Sequence, residues 1–160
     1  MQDGFDAIRR ADRALTEAEA RAFLDKAAWG TLSLCPDENG YPHAVPINCA
    51  YLGGALYFHC AYEGKKLRAL ERDNRACFSA AALHELSLSK FTSYYESVLC
   101  YGRVTRVPEP EKTEALVRFT AHVFSVPEAG IRAKVEQCAA PTLMLRMEID
   151  RITGKRNSGH

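Results

Sequence analysis

The chain has 160 residues and a mass of 17.8 kDa; 47% of its residues are hydrophobic and 26% are charged. This composition is typical of a soluble globular domain with an ordinary core. The 21 Lys and Arg residues nearly balance the 20 Asp and Glu residues, for a net charge of +1. This balance argues against a protein that binds nucleic acids or charged membrane surfaces, because proteins of both classes need an excess of basic residues.

The sequence also argues against export and against metal binding. The N-terminus lacks the apolar stretch of a signal peptide, and no segment has the ~20 apolar residues that a membrane-spanning helix needs. No two of the six cysteines lie within four positions of each other, and the five histidines show no metal-ligand spacing. We therefore expect a cytoplasmic protein with reduced thiols and no metal site.

The first part of the chain predicts one helix followed by three strands. Thr16 and Glu19 have the spacing of a capping box, which begins a helix that ends near Ala28. The apolar period then changes to two. Strands are predicted over 29–35, 41–51 and 55–60, with turns over Pro36–Gly40 and at Gly53-Gly54.

The predicted strand over 41–51 contains two prolines, Pro42 and Pro46. Proline has no backbone N–H, so two prolines do not fit within a fully paired ladder. We therefore predict that this strand has a free edge or a bulge. A free edge offers unpaired backbone groups to whatever lies beside it.

The rest of the chain predicts three more strands and further helices. Helices are expected over 63–74 and 109–124, and 126–140 is either a loop or a helix. Strands are expected over 75–83, 94–107 and 142–152, with a loop over 84–93 and a bend at Gly102. The six strands do not alternate regularly with helices, so a parallel sheet is not expected. The pattern favours a mainly β fold: a small antiparallel barrel with covering helices, in one domain over 1–160.

The turn before the second helix has an unusual charge. Lys65 and Lys66 lie in the first helical turn, where the helix dipole disfavours cations. A bound anion, such as a phosphate monoester, would make this arrangement favourable. The alternative is that both lysines are ordinary solvated surface residues.

Neighbouring strands would add further groups to this turn. The proline-containing strand supplies a free backbone edge, and Asn48, Cys60 and Ser97 supply small polar side chains. A cationic clamp, a free edge and small polar groups are what a planar cofactor with a phosphate tail needs.

Several short motifs follow one another in a specific order. They are Val45-Pro46-Ile47-Asn48, Tyr57-Phe58-His59, Gly64-Lys65-Lys66, Asp73-Asn74, Cys77-Phe78, Tyr94-Tyr95-Glu96-Ser97-Val98, Tyr101-Gly102 and Ile152-Thr153-Gly154-Lys155. Their order resembles the FMN-binding split-barrel family related to pyridoxamine 5'-phosphate oxidase, and particularly its nitroimidazole-resistance (Nim-type) flavoproteins. The likeness extends from about Trp29 to Lys155 and implies a six-stranded antiparallel split β-barrel.

The resemblance also implies a role for particular residues and a homodimer whose two FMN sites lie at the interface. The isoalloxazine edge would be lined by His43, Ala44, Val45 and Pro46, and Asn48 would form a hydrogen bond to the ring or the ribityl chain. The strand beneath the cofactor would end at His59 and Cys60. The phosphate would be held by Lys65 and Lys66, and Glu96 and Ser97 would approach from the opposite strand. His59 is the candidate catalytic residue; its alternative role is an orienting hydrogen bond. Cys60 is expected to pack beside the site.

The chain also departs from the oxidase pattern. Gly64-Lys65-Lys66 stands where the oxidase has Ser-Arg-Lys, and the C-terminal substrate-binding residues have no equivalent. We therefore do not expect oxidation of vitamin B6.

Two functions fit the resemblance. The first is an FMN-dependent oxidoreductase that passes electrons from a reduced carrier to a small organic acceptor, such as a nitro-aromatic compound. The second is a non-catalytic protein on the same barrel that binds or stores flavin, or that binds haem through an exposed histidine. A fold alone does not distinguish an enzyme from a carrier.

Overall fold

The computed structural model describes residues 5, 7–36 and 39–159, so the middle of the predicted turn over Pro36–Gly40 lies outside the described residues. Within them, one antiparallel sheet contains β1 (Trp29–Leu34), β2 (His43–Asn48), β3 (Ala50–Leu52), β4 (Ala55–Cys60), β5 (Arg75–Ser87), β6 (Thr92–Arg106) and β7 (Leu143–Asn157). The helices are α1 (Glu17–Lys26), α2 (Lys65–Arg72), α3 (Glu109–Phe124) and α4 (Glu128–Cys138), with a short 3-10 turn at Ala11–Arg13.

The sheet has seven strands in the described part of the chain, so the predicted number of six is wrong. The predicted strand over 41–51 divides at Cys49 into β2 and β3. The amide of Cys49 donates to the carbonyl of Ala28 at 3.1 Å and its thiol contacts the carbonyl of Ala27 at 3.3 Å. The amide bond continues the β1–β2 register by one position, and the next residue, Ala50, pairs with Tyr57 of β4, so the strand divides where it changes its ladder partner.

The division at Cys49 curls the sheet. Its strand order is β2-β1-β5-β6-β7-β4-β3, so consecutive strands β2 and β3 lie at opposite edges. Because only Cys49 separates them, the two edges must come close, and β2 does contact β4 without forming a ladder with it. The mainly β fold with covering helices is confirmed, as a curled antiparallel half-barrel.

The predicted free edge is confirmed. β2 pairs with β1 over its whole length, with Pro46 opposite Thr31, and has no second ladder partner among the described strands. Proline is tolerated there because an edge strand needs hydrogen bonds on one side only.

Two segments were predicted differently from their structure. The predicted loop over 84–93 is largely a continuation of β5 and β6, whose ladder extends to Ser87 and Thr92 with a register shift between Leu83 and Glu85. The ambiguous segment over 126–140 contains α4. The residues over 84–93 mix polar and apolar side chains without an alternation that continues through the segment, so they did not reveal the strands. A hairpin that extends beyond the core has no face that must be apolar.

Other local predictions are confirmed. Thr16 and Glu19 form the capping box of α1, and α3 has the predicted bounds. At Gly102 the β6–β7 register shifts, and an added Cβ would overlap the carbonyl oxygen of Glu148. The bend therefore requires glycine.

The core has two parts. The larger lies inside the curled sheet, where the rings of Phe58 and Phe78 are 5.4 Å apart and Leu67 of α2 packs against the strands. The smaller lies between α3, α4 and the outer face near β3. Each large side chain that is fully buried contributes about 1.5–3 kcal/mol to folding. In the described part of the chain, no helix has the length and apolar character to cross a membrane.

Candidate functional site

The N-terminus of α2 has the features of an anion-binding turn. Gly64 precedes the helix with a φ of 129°, and no side chain caps the first turn. That turn contains Lys65 and Lys66 and no acidic residue. The first amides of a helix have no partner within it, so amides and ammonium groups together create a positive potential here. Gly64 is required because other residues rarely adopt its φ.

The end of β4 lies beside this turn. Lys66 is close enough to His59 and Cys60 to influence both groups. Burial lowers the pKa of His59 below its usual value, and the charge of Lys66 lowers it further. Its imidazole is therefore mostly neutral at neutral pH.

The Cys60 thiol has the opposite shift. Burial raises its pKa, and the neighbouring cation Lys66 only partly opposes this effect. A protonated thiol is a poor nucleophile, so the geometry supports the predicted packing role.

His59 and Cys60 point to opposite faces of β4, as consecutive strand residues must. Cys60 packs against the core inside the curled sheet. The imidazole of His59, partly covered by protein and partly open to solvent, instead meets Phe119 of α3 edge-on, with 5.1 Å between ring centroids. The two side chains therefore do not share one side of the strand, although the resemblance implied that both lie beneath a cofactor.

The free edge of β2 completes this corner of the molecule, since α2 contacts β1 and β2. In β2, Ala44 and Pro46 are exposed, His43 and Val45 are half-buried, and Ile47 enters the core. Thus α2 contacts the predicted strand β2, β2 contacts β4, and Lys66 lies beside the end of β4.

Asn48 lies at the end of β2 and already has a structural contact. Its side-chain Nδ2 donates to the carbonyl of Ala28 at 3.1 Å. The carbonyl oxygen Oδ1 and the second N–H of Nδ2 are then the side-chain groups that could contact a ligand.

Glu96 and Ser97 do not join this corner within one chain. Arg106 lies near Cys60, whose pKa its charge affects, and Ser97 is nine positions earlier on the same strand. At about 3.3 Å per residue this is roughly 30 Å. The Glu96 carboxylate accepts hydrogen bonds from Arg156 at 2.7 Å and from His84 at 3.3 Å, and these contacts lower its pKa.

Ser97 faces a separate groove of about 500 Å³ on the outer face of β6 and β7. Phe5 and Tyr101 line it too, with ring centroids 4.9 Å apart. The remaining lining residues are Ile8, Leu99, Thr153, Gly154 and Lys155.

The residues that sequence reasoning missed lie far downstream of β4. Phe119 contacts His59, and Arg106 donates to the carboxylate of Glu71 on α2 at 2.9 Å. Lys112 donates to the hydroxyl of Tyr62 at 2.7 Å, across 50 residues of sequence. Local spacing contains no signal for such contacts, because the fold alone brings these segments together.

A family model described as pyridoxamine 5'-phosphate oxidase matches residues 16–156. The chain belongs to the pyridoxamine 5'-phosphate oxidase family. The predicted resemblance is confirmed at the level of the family. No curated protein matches the chain significantly.

Solved structures with the fold of this pyridoxamine 5'-phosphate oxidase family member include proteins of several kinds. A candidate 5-nitroimidazole antibiotic resistance protein from Bacteroides thetaiotaomicron is 25% identical, with a TM-score of 0.71 over 89% of this chain and 85% of that one. An FAD- and haem-binding protein from Mycobacterium smegmatis is also 25% identical, with a TM-score of 0.76 over 90% and 72%. A flavocytochrome from Azotobacter vinelandii, 22% identical, has a TM-score of 0.78 over 98% and 75% and shows the shared fold.

Proposed function

We propose that this protein is a homodimeric FMN-binding oxidoreductase that passes electrons from a reduced carrier to a small organic acceptor, of the nitro-aromatic class. One observation carries the proposal: the free edge of β2, the end of β4 and the positive turn of α2 meet at one corner. The family match and the flavin-binding protein among the similar structures support it.

The groups at this corner fit an FMN phosphate. Lys65 and Lys66 can offer charge-assisted hydrogen bonds at the same helix end where the first amides of α2 have no side-chain cap. Gly64 leaves open space, since a Cβ added there would meet no heavy atom within 4 Å. The site thus suits a phosphate monoester with nearly two negative charges.

A bound flavin would supply the electron chemistry, and the protein's part is to place it. The backbone edge of β2 can bond to the polar rim of the ring system. Beside it, the mostly neutral imidazole of His59 can donate one hydrogen bond or accept one. Lys66 lies close enough to this imidazole to influence it and would also be available to hold the phosphate.

The homodimer is proposed for two reasons. Glu96 and Ser97 are too distant from Lys66 in one chain to share its site, but a partner's copies could approach it. The β5–β6 hairpin that carries them also exposes four large apolar side chains, of which Leu88 is 81% and Phe91 90% exposed. The other two exposed side chains are Leu83 and Leu86. A cluster of exposed apolar side chains is typical of a protein–protein interface.

The decisive experiment is the absorption spectrum of the purified protein, followed by mass spectrometry of the released cofactor. We expect flavin bands, the mass of FMN and reduction of an added nitro-aromatic compound when a reduced nicotinamide is supplied. A released mass of FAD, or no flavin, would contradict the assignment of FMN. Stoichiometric FMN without turnover would identify a storage protein, and a sharp Soret band would identify a haem protein.

A further inference from the structure

Lys112 is the only buried polar or charged residue within the described ranges, at 5% exposure. Burying an ammonium group is costly unless it is paired and hydrogen-bonded. Lys112 lies on the first turns of α3, where its Nζ donates to the hydroxyl of Tyr62 at 2.7 Å and lies 3.0 Å from the carboxylate of Glu109.

These three side chains form a closed cluster, which we call the Lys112 clamp. The hydroxyl of Tyr62 accepts from Lys112 and donates to Glu109 at 2.8 Å. The ammonium also lies 5.3 Å from the centroid of the Tyr62 ring, within range of a cation–π interaction. Every polar atom of the cluster thus has a partner inside it.

The clamp holds the segment that leads from β4 into α2. Tyr62 is two residues after Cys60 and two before Gly64. His59, at the other end of this segment, rests on Phe119 of the same helix α3. Hence α3 fixes the segment at two points, immediately before the lysines proposed for the phosphate.

We propose that Lys112 is a positioning residue for the cofactor phosphate, acting through Tyr62 to hold Gly64, Lys65 and Lys66 in place. This inference rests on the proposed function. Binding a phosphate to a turn that is already ordered avoids the entropy cost of ordering it during binding. At this buried position a lysine can hold the turn through Tyr62, which an apolar residue could not do.

The test uses Lys112→Met, which keeps the length of the side chain and removes its charge. The variant should fold, since the Glu109 side chain is 67% exposed and its carboxylate stays solvated when the ammonium is removed. In it, the Kd of FMN should rise roughly ten-fold while that of riboflavin, which lacks the phosphate, changes little. Amide hydrogen exchange over 61–66 should become faster.

Tyr62→Phe removes only the hydroxyl and should reproduce both effects more weakly. Tyr57→Phe, on β4 and outside the clamp, is the matched control and should change neither. The inference is overturned if the preference for FMN over riboflavin and the exchange over 61–66 are unchanged in Lys112→Met. If the native protein itself binds FMN no more tightly than riboflavin, the proposed phosphate site is wrong and the inference is wrong with it.

Discussion

At the scale of single residues, the two lysines of α2 are the most specific part of the proposed site. Their chemistry depends on charge placed at a helix N-terminus, where an anion is needed to offset it. Both the affinity for a phosphate and the state of the neighbouring imidazole should then depend on these side chains.

The first prediction concerns Lys65 and Lys66 themselves. Replacing both with Ala should weaken FMN binding by about two to four decades, because each charge-assisted contact is worth roughly 1.5–3 kcal/mol. Riboflavin binding, measured by fluorescence titration, should be nearly unchanged. The exposed pair Arg68 and Lys134, changed to Ala together, is a control of equal charge. Equal weakening of FMN and riboflavin would place the phosphate elsewhere.

The second prediction concerns His59, whose pKa is lowered by burial and by Lys66. If its imidazolium donates a proton to the reduced acceptor, the acceptor rate of pre-reduced protein should fall as pH rises through a pKa below about 6.5. His59→Ala should remove this dependence between pH 5.5 and 8.5 and leave the fold intact. Identical pH profiles in both forms, with weaker FMN binding in the variant, would make His59 an orienting ligand only.

At the scale of elements, Arg156 ties three parts of the fold together. From β7 it donates to Glu19 of α1 at 3.1 Å and to Glu96 of β6 at 2.7 Å. The Glu96 pKa is lowered chiefly by Arg156, whereas the capping contacts with Thr16 contribute most to the lowered pKa of Glu19. A charge network that joins separate elements stabilises their packing more than an isolated surface pair does.

The third prediction follows from this network. A carboxylate with a lowered pKa stabilises the fold above its unfolded pKa of about 4.3, and this contribution is lost as pH falls through the folded value. Arg156→Gln should therefore lower the melting temperature by a few degrees at pH 7, and the difference from the native protein should shrink as the pH is lowered to 3 and the carboxylates begin to protonate. Arg103→Gln breaks only the exposed pair with Asp150 at 4.0 Å and serves as control. An equal loss at both pH values would exclude the ionic explanation.

At the scale of the whole molecule, we propose that a second chain completes the site. The corner at α2 supplies the phosphate-binding groups, whereas Glu96, Ser97 and the apolar hairpin lie at the other end of β6. A second copy that docks through the hairpin would bury its exposed side chains and bring its own polar residues close to the first copy's corner.

The fourth prediction is a homodimer with one FMN per subunit, measured by sedimentation and absorbance. Leu86→Glu combined with Leu88→Glu should produce a monomer with weakened FMN binding, because charges are costly in an apolar interface. Phe124→Glu changes another exposed apolar side chain, 71% exposed, and should leave the dimer intact. A native monomer that holds stoichiometric FMN would contradict the proposed shared site.

Local patterns in the sequence determined much of this protein. The capping box of α1, the bounds of α3, the glycine bend in β6 and the free edge of the proline-containing strand were all predictable. Each depends on backbone chemistry within a few residues. The ordered motifs were likewise sufficient to predict the family, and the local pattern over 63–74 placed Lys65 and Lys66 at the start of a helix.

Only the tertiary structure decided how distant segments meet. The division of the predicted second strand at Cys49 depends on a change of ladder partner, from β1 before Cys49 to β4 after it. The contact of Lys112 with Tyr62 spans 50 residues, and that of Arg156 with Glu96 spans 60. Hydrophobic period and turn residues act over a few positions, whereas these pairs form when the sheet curls and packs against α3. For this reason a lysine that reads as an ordinary polar residue on α3 is buried beside the turn that we propose for the phosphate.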